Sequence, residues 1–129
     1  MSDFATVKGY LSDFGLKIVH EDAAEHMIVA EDEEQGIKNL LVVCEPPIVI
    51  LEQVILSISK GSEATYKRLL QLNRKLVHGA FVLDDAGVRV LFRDTLQLEN
   101  LDFNELEGSI NALSLAMAEH SAELLSFGA

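Results

Sequence analysis

Tryptophan is absent from this sequence, cysteine occurs once and proline twice, in 129 residues. A lone Cys44 excludes an internal disulfide, so a reducing compartment is the natural setting. Basic residues are also scarce: 10 Lys and Arg stand against 21 Asp and Glu, a formal charge of −11. That balance opposes binding to a phosphate backbone, which rests on neutralising phosphates, and equally disfavours anionic membrane surfaces. From Asp94 to Ala129 there are seven acids and no Lys or Arg, whereas Lys60 to Lys75 holds five basic residues and one acid. The basic stripe is therefore embedded in an opposing field, and no nucleic-acid partner is expected.

Long apolar runs are missing as well. The most apolar stretch, Leu40 to Ile58, is broken by Glu45, Pro46, Pro47 and Glu52, whereas a membrane span needs about 20 mostly uninterrupted apolar residues. The opening MSDFATVKGYL has no positive region followed by an apolar one, so it does not read as a signal peptide. A soluble, cytoplasmic protein is expected.

What is present suits one globular domain over residues 1–129. The broad hydrophobic share is 49%, ordinary for a folded chain, and a domain of this size hides roughly 65–70% of its unfolded surface. Phe4, Val7, Leu11 and Phe14 fall at helical spacing, with Gly15 suited to the left-handed position after a helix end. Leu16 to His20 and His26 to Ala30 read as a hairpin. The acids Glu31 to Glu34 with Gln35 and Gly36 read as a solvated turn, and Ile37 to Cys44 as a strand stopped by the prolines.

Ile48 to Ile58 admits two readings. Two prolines precede a helix as readily as a strand, but the β-branched Ile48, Val49, Ile50, Val54, Ile55 and Ile58 favour a strand. Ser62 then suits the N-cap of a helix with Tyr66, Leu69, Leu70, Asn73 and Leu76 along one side. Gly79 to Leu83 and Val88 to Phe92 flank a Gly-ended turn, and Asp102 with Glu105 opens a final helix. Phe103, Leu106, Ile110, Leu113, Met117, His120 and Leu124 line that helix. The fold class is α+β: an antiparallel sheet and three helices in the order α-β-β-β-(β)-α-β-β-α.

A sheet with one face in water alternates apolar and polar residues. Here Ile48, Ile50, Val54, Leu56 and Ile58 fall on one face, interrupted by Glu52, while Val49, Leu51 and Ile55 fall on the other. Leu40 to Val43 are equally two-sided. Three helices cover one face of a small sheet, so a second apolar face calls for a second copy or a bound protein segment. Covering roughly 800 Å² of mostly apolar surface contributes on the order of 10 kcal/mol before association costs. A homodimer with Ile48, Ile50, Val54 and Leu56 on its partner surface is the expectation. The alternative places a helix at Ile48 to Ile58, or helices on both faces.

Chemical sites are weaker candidates. Asp84 and Asp85 follow a strand as magnesium-holding acids do, but no Gly-rich phosphate loop accompanies them, so a polar turn is expected. His20 and His26, with Glu21, Asp22 and Glu25, match no metal-ligand spacing. His120 reads as a packed histidine and Cys44 as a small hydrophobe without a histidine partner. Ser57, Ser59 and Ser62 lie in no nucleophile elbow, and Glu31 to Glu34 do not space an EF-hand loop. Asn73 is expected to bond carbonyls near its helix end, and Asp94 to tie the last strand to the loop before Asp102. No catalytic residue, metal or cofactor is expected, and no enzyme.

The runs Leu69-Leu70-Gln71-Leu72-Asn73-Arg74, His78-Gly79-Ala80-Phe81 and Phe92-Arg93-Asp94-Thr95-Leu96, with Glu99-Asn100-Leu101 before the long helix, resemble the YbjN-type bacterial family. That family is similar in fold to type III secretion chaperones, small α+β domains that commonly form homodimers. The resemblance implies a strand at Ile48 to Ile58 and an acidic cytosolic protein without enzymatic activity. It also implies a chaperone-like protein-binding role, with a ligand-sensing signal-transduction regulator as the alternative.

Overall fold

A computed structural model describes residues 3–58 and 61–128. Ser59 and Lys60 lie outside the described residues. The first helix α1 (Phe4–Asp13) is capped by the Asp3 carboxylate, which accepts the Thr6 N–H at 2.9 Å. It ends as its residues foretell. Gly15 takes φ +86°, its N–H donates to Ser12 O, and the Leu16 N–H reaches back to Leu11 O. That double closure satisfies carbonyls the helix leaves unpaired and buries Leu11 beside Leu16.

Four strands follow: β1 (Lys17–Asp22), β2 (Met27–Asp32), β3 (Ile37–Glu45) and β4 (Ile48–Ser57). Glu33–Gln35 form a short 3-10 turn between β2 and β3, closed by Gly36 at φ +74°. Ile48 to Ser57 is a strand, so packing sides with the β-branched residues over the helix-compatible prolines. Helix α2 (Glu63–Asn73) starts on Ser62, whose hydroxyl accepts the Thr65 N–H at 3.1 Å. Strands β5 (Ala80–Leu83) and β6 (Arg89–Gln97) and helix α3 (Phe103–Ser126) complete the chain, with Asp102 capping α3. All pairings among the described residues are antiparallel, in the order β1-β2-β3-β4-β6-β5. Helix α2 is thus a crossover, and β6 returns to lie between β4 and β5.

Directly opposed residues of antiparallel strands share a face. Ile28 faces Val42, Val42 faces Leu51, Cys44 faces Val49, and Phe81 faces Phe92. All are buried, in one cluster with Val7 and Leu11 of α1, Leu69 and Leu72 of α2, and Leu106, Leu113 and Leu124 of α3. The helices therefore cover one face. Along α3 the expected stripe is buried from Leu106 to Leu124, widened by Ser109, Ala112 and Ala116. Along α2 the expected stripe needs correction. Leu69 and Leu72 turn inward, whereas Leu70 is 71% exposed and Leu76 lies beyond the helix end. A 3.6-residue period puts Leu69 and Leu72 one above the other and rotates Leu70 by about 100°.

Asn73 acts differently from its sequence expectation. Rather than bonding carbonyls of its own helix, it reaches across to β5. Its Oδ1 accepts the Phe81 N–H at 2.7 Å and its Nδ2 donates to Phe81 O at 3.2 Å. The side chain so stands in for a ladder partner at the sheet edge. Replacing Asn73 by alanine removes both bonds, and a loss of about 2 kcal/mol is expected, read as a lower urea midpoint. Helices α2 and α3 are joined by Arg68, which donates to both Glu123 carboxylate oxygens at 2.6 and 3.0 Å.

Candidate protein-binding surface

The sheet face away from the helices is built by the same register. Met27, Val43, Ile50 and Thr95 form one cross-strand row, and Val29, Leu41, Glu52, Arg93 and Ala80 a second. Val54, Leu91 and Val82 form a third, and Ile48 lies beside Gln97. No described helix covers these rows. Neighbouring side chains half-bury one another, and Val54 remains 49% exposed. Near the centre, Arg93 and Glu52 form an ion pair across β4 and β6. Glu52, which interrupts the apolar run in the sequence, so has a partner that adjacency along the chain does not reveal.

Of the four residues expected on a partner surface, Ile48, Ile50 and Val54 share this open face. Leu56 does not. The β4–β6 register shifts between Val54, opposite Leu91, and Leu56, opposite Val90. One extra residue in β4 reverses the alternation beyond it, turning Leu56 into the core at 8% exposure, and Ile58, read from the sequence on the same outward face, is buried as well. The sequence reading missed Met27, Val29, Val82 and Leu91, whose apolar alternation within short strands was the available signal.

The chemical candidates do not converge. Asp84 Oδ1 accepts the N–H groups of Val88 and Arg89 at 2.9 and 3.1 Å, and these bonds, Arg89 first, hold its carboxyl below the usual range. Glu21 pairs with Lys8 at 2.6 Å, Asp22 accepts the Glu25 N–H at 3.2 Å, and the His26 ring lies 5.5 Å from Phe4. His120 is buried on α3, its Nε2 3.6 Å from Glu119. Asp94 accepts the Ser109 hydroxyl, so it ties β6 to the body of α3 rather than to the loop before Asp102. A cleft of about 1010 Å³ opens at one end of the sheet, where Phe4, His26, Pro46, Pro47 and Leu98 meet.

The family model CesT_Tir_1 matches residues 1–129. The chain belongs to the CesT_Tir_1 family. No curated protein matches it. Among solved structures, YbjN from E. coli is similar at TM-score 0.71 and 12% identity, covering 95% of this chain and 93% of that one. A chain of the ExsC–ExsE complex follows at TM-score 0.66 and 22% identity, with 97% of each chain covered. The Yersinia pestis type III secretion chaperone SycH, solved with a fragment of YscM2, gives TM-score 0.54 and 12% identity over 95% of this chain and 99% of that one. These likenesses show the fold. The YbjN resemblance and the secretion-chaperone architecture read from the sequence both hold.

In this CesT_Tir_1 member no described helix is long and apolar enough to cross a membrane. Burial pushes the Cys44 thiol up to about 11, with the Asp3 charge adding to the rise. At neutral pH only about one thiol in ten thousand is then ionised, and the thiolate is the reactive form. Ellman's reagent is expected to leave Cys44 unmodified in the native protein over minutes and to label it at once in 6 M guanidinium (a concentration of about the usual denaturing strength). Fast native labelling would contradict the burial described.

Proposed function

We propose that the protein is a cytoplasmic, non-enzymatic, chaperone-like binding module, one domain over residues 1–129, that works as a homodimer and holds an extended or partly unfolded segment of another protein. The observation that carries this reading is the apolar sheet face left uncovered by all three helices, with Ile48, Ile50 and Val54 upon it. Membership of the CesT_Tir_1 family supports it, as does the likeness in fold to proteins solved in complexes with other proteins. The charge of −11 keeps such a surface soluble and favours basic partners.

Light scattering on the purified protein tests the homodimer. The wild type is expected at twice the 14.2 kDa chain mass, and Ile50→Arg at a single chain mass. Ile50 lies outside the helix-covered core, so the variant should keep the wild-type circular dichroism spectrum. A wild type that scatters as one chain overturns the homodimer.

The end cleft favours a second reading, a regulator that senses a small apolar ligand. A fragment that raises the melting temperature of the wild type but not of Phe4→Ala would support it.

A further inference from the structure

Three loops and the start of α1 converge at one end of the sheet and enclose the cleft of about 1010 Å³. The turn from β1 to β2 brings His26, the turn from β3 to β4 brings Pro46 and Pro47, and the loop from β6 to α3 brings Leu98 and Glu99. Main-chain bonds stitch these pieces together. The Cys44 N–H donates to His26 O and the Leu98 N–H to Pro47 O, both at 2.9 Å. The Asp3 carboxylate holds the first turn of α1 through the Thr6 N–H, also at 2.9 Å. Walls fixed in this way lose little freedom when a ligand enters, which is what preorganisation contributes to affinity.

The floor of the cleft is apolar. It is made of the Phe4 ring, the His26 ring tilted 35° to it at 5.5 Å, the two prolines and buried Leu98. Its rim is acidic: Asp3 and Glu99 line it, and among the described residues no Lys or Arg does. The Thr6 N–H, then the Thr6 hydroxyl, hold the Asp3 carboxyl below its ordinary range, so it is charged at neutral pH. The Glu99 side chain has no hydrogen-bond or ion-pair partner among the described residues. A helix N-terminus ordinarily attracts anions, but the chain's own Asp3 already fills that position on α1.

An aromatic face beside an unpaired carboxylate suits an organic cation. The ring quadrupole attracts positive charge, and the carboxylate accepts a charge-assisted hydrogen bond. A neutral apolar molecule would strip water from Glu99 without replacing it. An anion would meet two carboxylates in a chain of net charge −11. We propose that the end cleft binds a small amphipathic cation, an amine or quaternary ammonium on an apolar body, which lies on Phe4 and the prolines with its charge toward Asp3 and Glu99. The proposal rests on the second reading above, that this cleft takes a small ligand, and adds the charge that selects it.

Phenylbutylamine, phenylbutanol and phenylbutyrate put a positive, a neutral and a negative end on one apolar body. Each is titrated into the isotope-labelled full-length protein at low salt, and the amide resonances are followed. The amine is expected to shift the amides of Phe4, His26 and Asn100 saturably and to bind about tenfold more tightly than the alcohol, with the carboxylate weakest. Added salt should narrow that gap. Asp3→Asn with Glu99→Gln removes both charges, while asparagine still caps α1. In that variant the amine should bind only as well as the alcohol, whose own affinity stays unchanged. Phe4→Ala should weaken both. Should the double variant fail to fold, Glu99→Gln alone, on an exposed loop, makes the same test with a smaller expected change.

An amine that binds no better than the alcohol overturns the cation assignment and leaves the small-ligand reading standing. An advantage for the amine that survives loss of both carboxylates does the same. If none of the three compounds shifts the cleft amides, the assignment and that reading fall together. Tighter binding of acetyl-Phe-Lys-amide than of the amine would give the cleft to a protein side chain, and shifts of its amides on dilution without ligand would give it to a second copy. Either result overturns the proposal.

Discussion

Phe92→Ala is expected to lower the stability of the protein by about 3–5 kcal/mol, a large part of the roughly 5–15 kcal/mol that a domain ordinarily has. Phe92 has no exposed surface and sits on β6, an inner strand beside the edge strand β5, opposite Gln53 on one side and Phe81 on the other. Truncation removes a ring from the helix-covered face, where relaxation is limited on both sides by paired strands. Gly79 makes this cavity diagnostic. A Cβ built on Gly79 would lie 2.4 Å from the Phe92 ring, and its φ of +75° is one that side chains resist. Gly79→Ala alone is therefore expected to destabilise through both clash and strain. In the Phe92→Ala background the ring clash vanishes, leaving the strain and a close approach of 3.0 Å to the Arg93 carbonyl oxygen, so the two losses should sum to more than the double variant shows. Strict additivity, measured by urea denaturation of all four proteins, would contradict the packing described.

A second large effect is expected at Gln53. Its side chain is 4% exposed and joins β4 to the strand that has parted from it. Gln53→Ala leaves the Lys38 N–H and the Gly36 carbonyl without their partner, for an expected loss of about 2–3 kcal/mol. Gln53→Glu separates the two bonds. An ionised carboxylate still accepts from Lys38 but faces the Gly36 oxygen with no proton to offer. Burial and that carbonyl raise the new carboxyl's folded pKa above its unfolded value. The sign follows from linkage: the deficit is greatest above the folded pKa and shrinks as pH falls through it, because the folded protein then binds the extra proton. Stability curves for the wild type and Gln53→Glu should converge between neutral pH and about pH 4. Parallel curves would mean that the amide proton to Gly36 contributes little.

Much of the fold is legible from residue spacing because the governing interactions are local. The caps at Ser62 and Asp102, the left-handed Gly15 and the stripe of α3 each depend on residues within a few positions of one another. The β-branched character of Ile48 to Ile58, reinforced by a family resemblance, indicated the strand. What escaped depends on pairing across the sheet. Leu56 keeps the same parity as Ile50 and Val54 along the chain, and only the irregular β4–β6 register sends it inward. Asn73 and Phe81 are eight residues apart and on different elements, so a helix-end amide bond was the nearer inference. Asp94 finds Ser109 across a loop and a helix start. For the partner surface, three of four residues share a face, and the rest of that face lies on strands too short for alternation to stand out.

The order of the strands also sets how two nascent chains can be confused with one another. Strands β1 to β4 follow one another as neighbours, so they can form a meander as soon as they leave the ribosome. Strand β4 must then wait for β6, synthesised some thirty residues later (on the order of seconds at ordinary elongation rates). During that interval its full-length outer edge accepts β6 from either chain. A polysome carrying several copies therefore places the exchange of this one segment, with α3 in tow, among the natural ways for two molecules to become entangled.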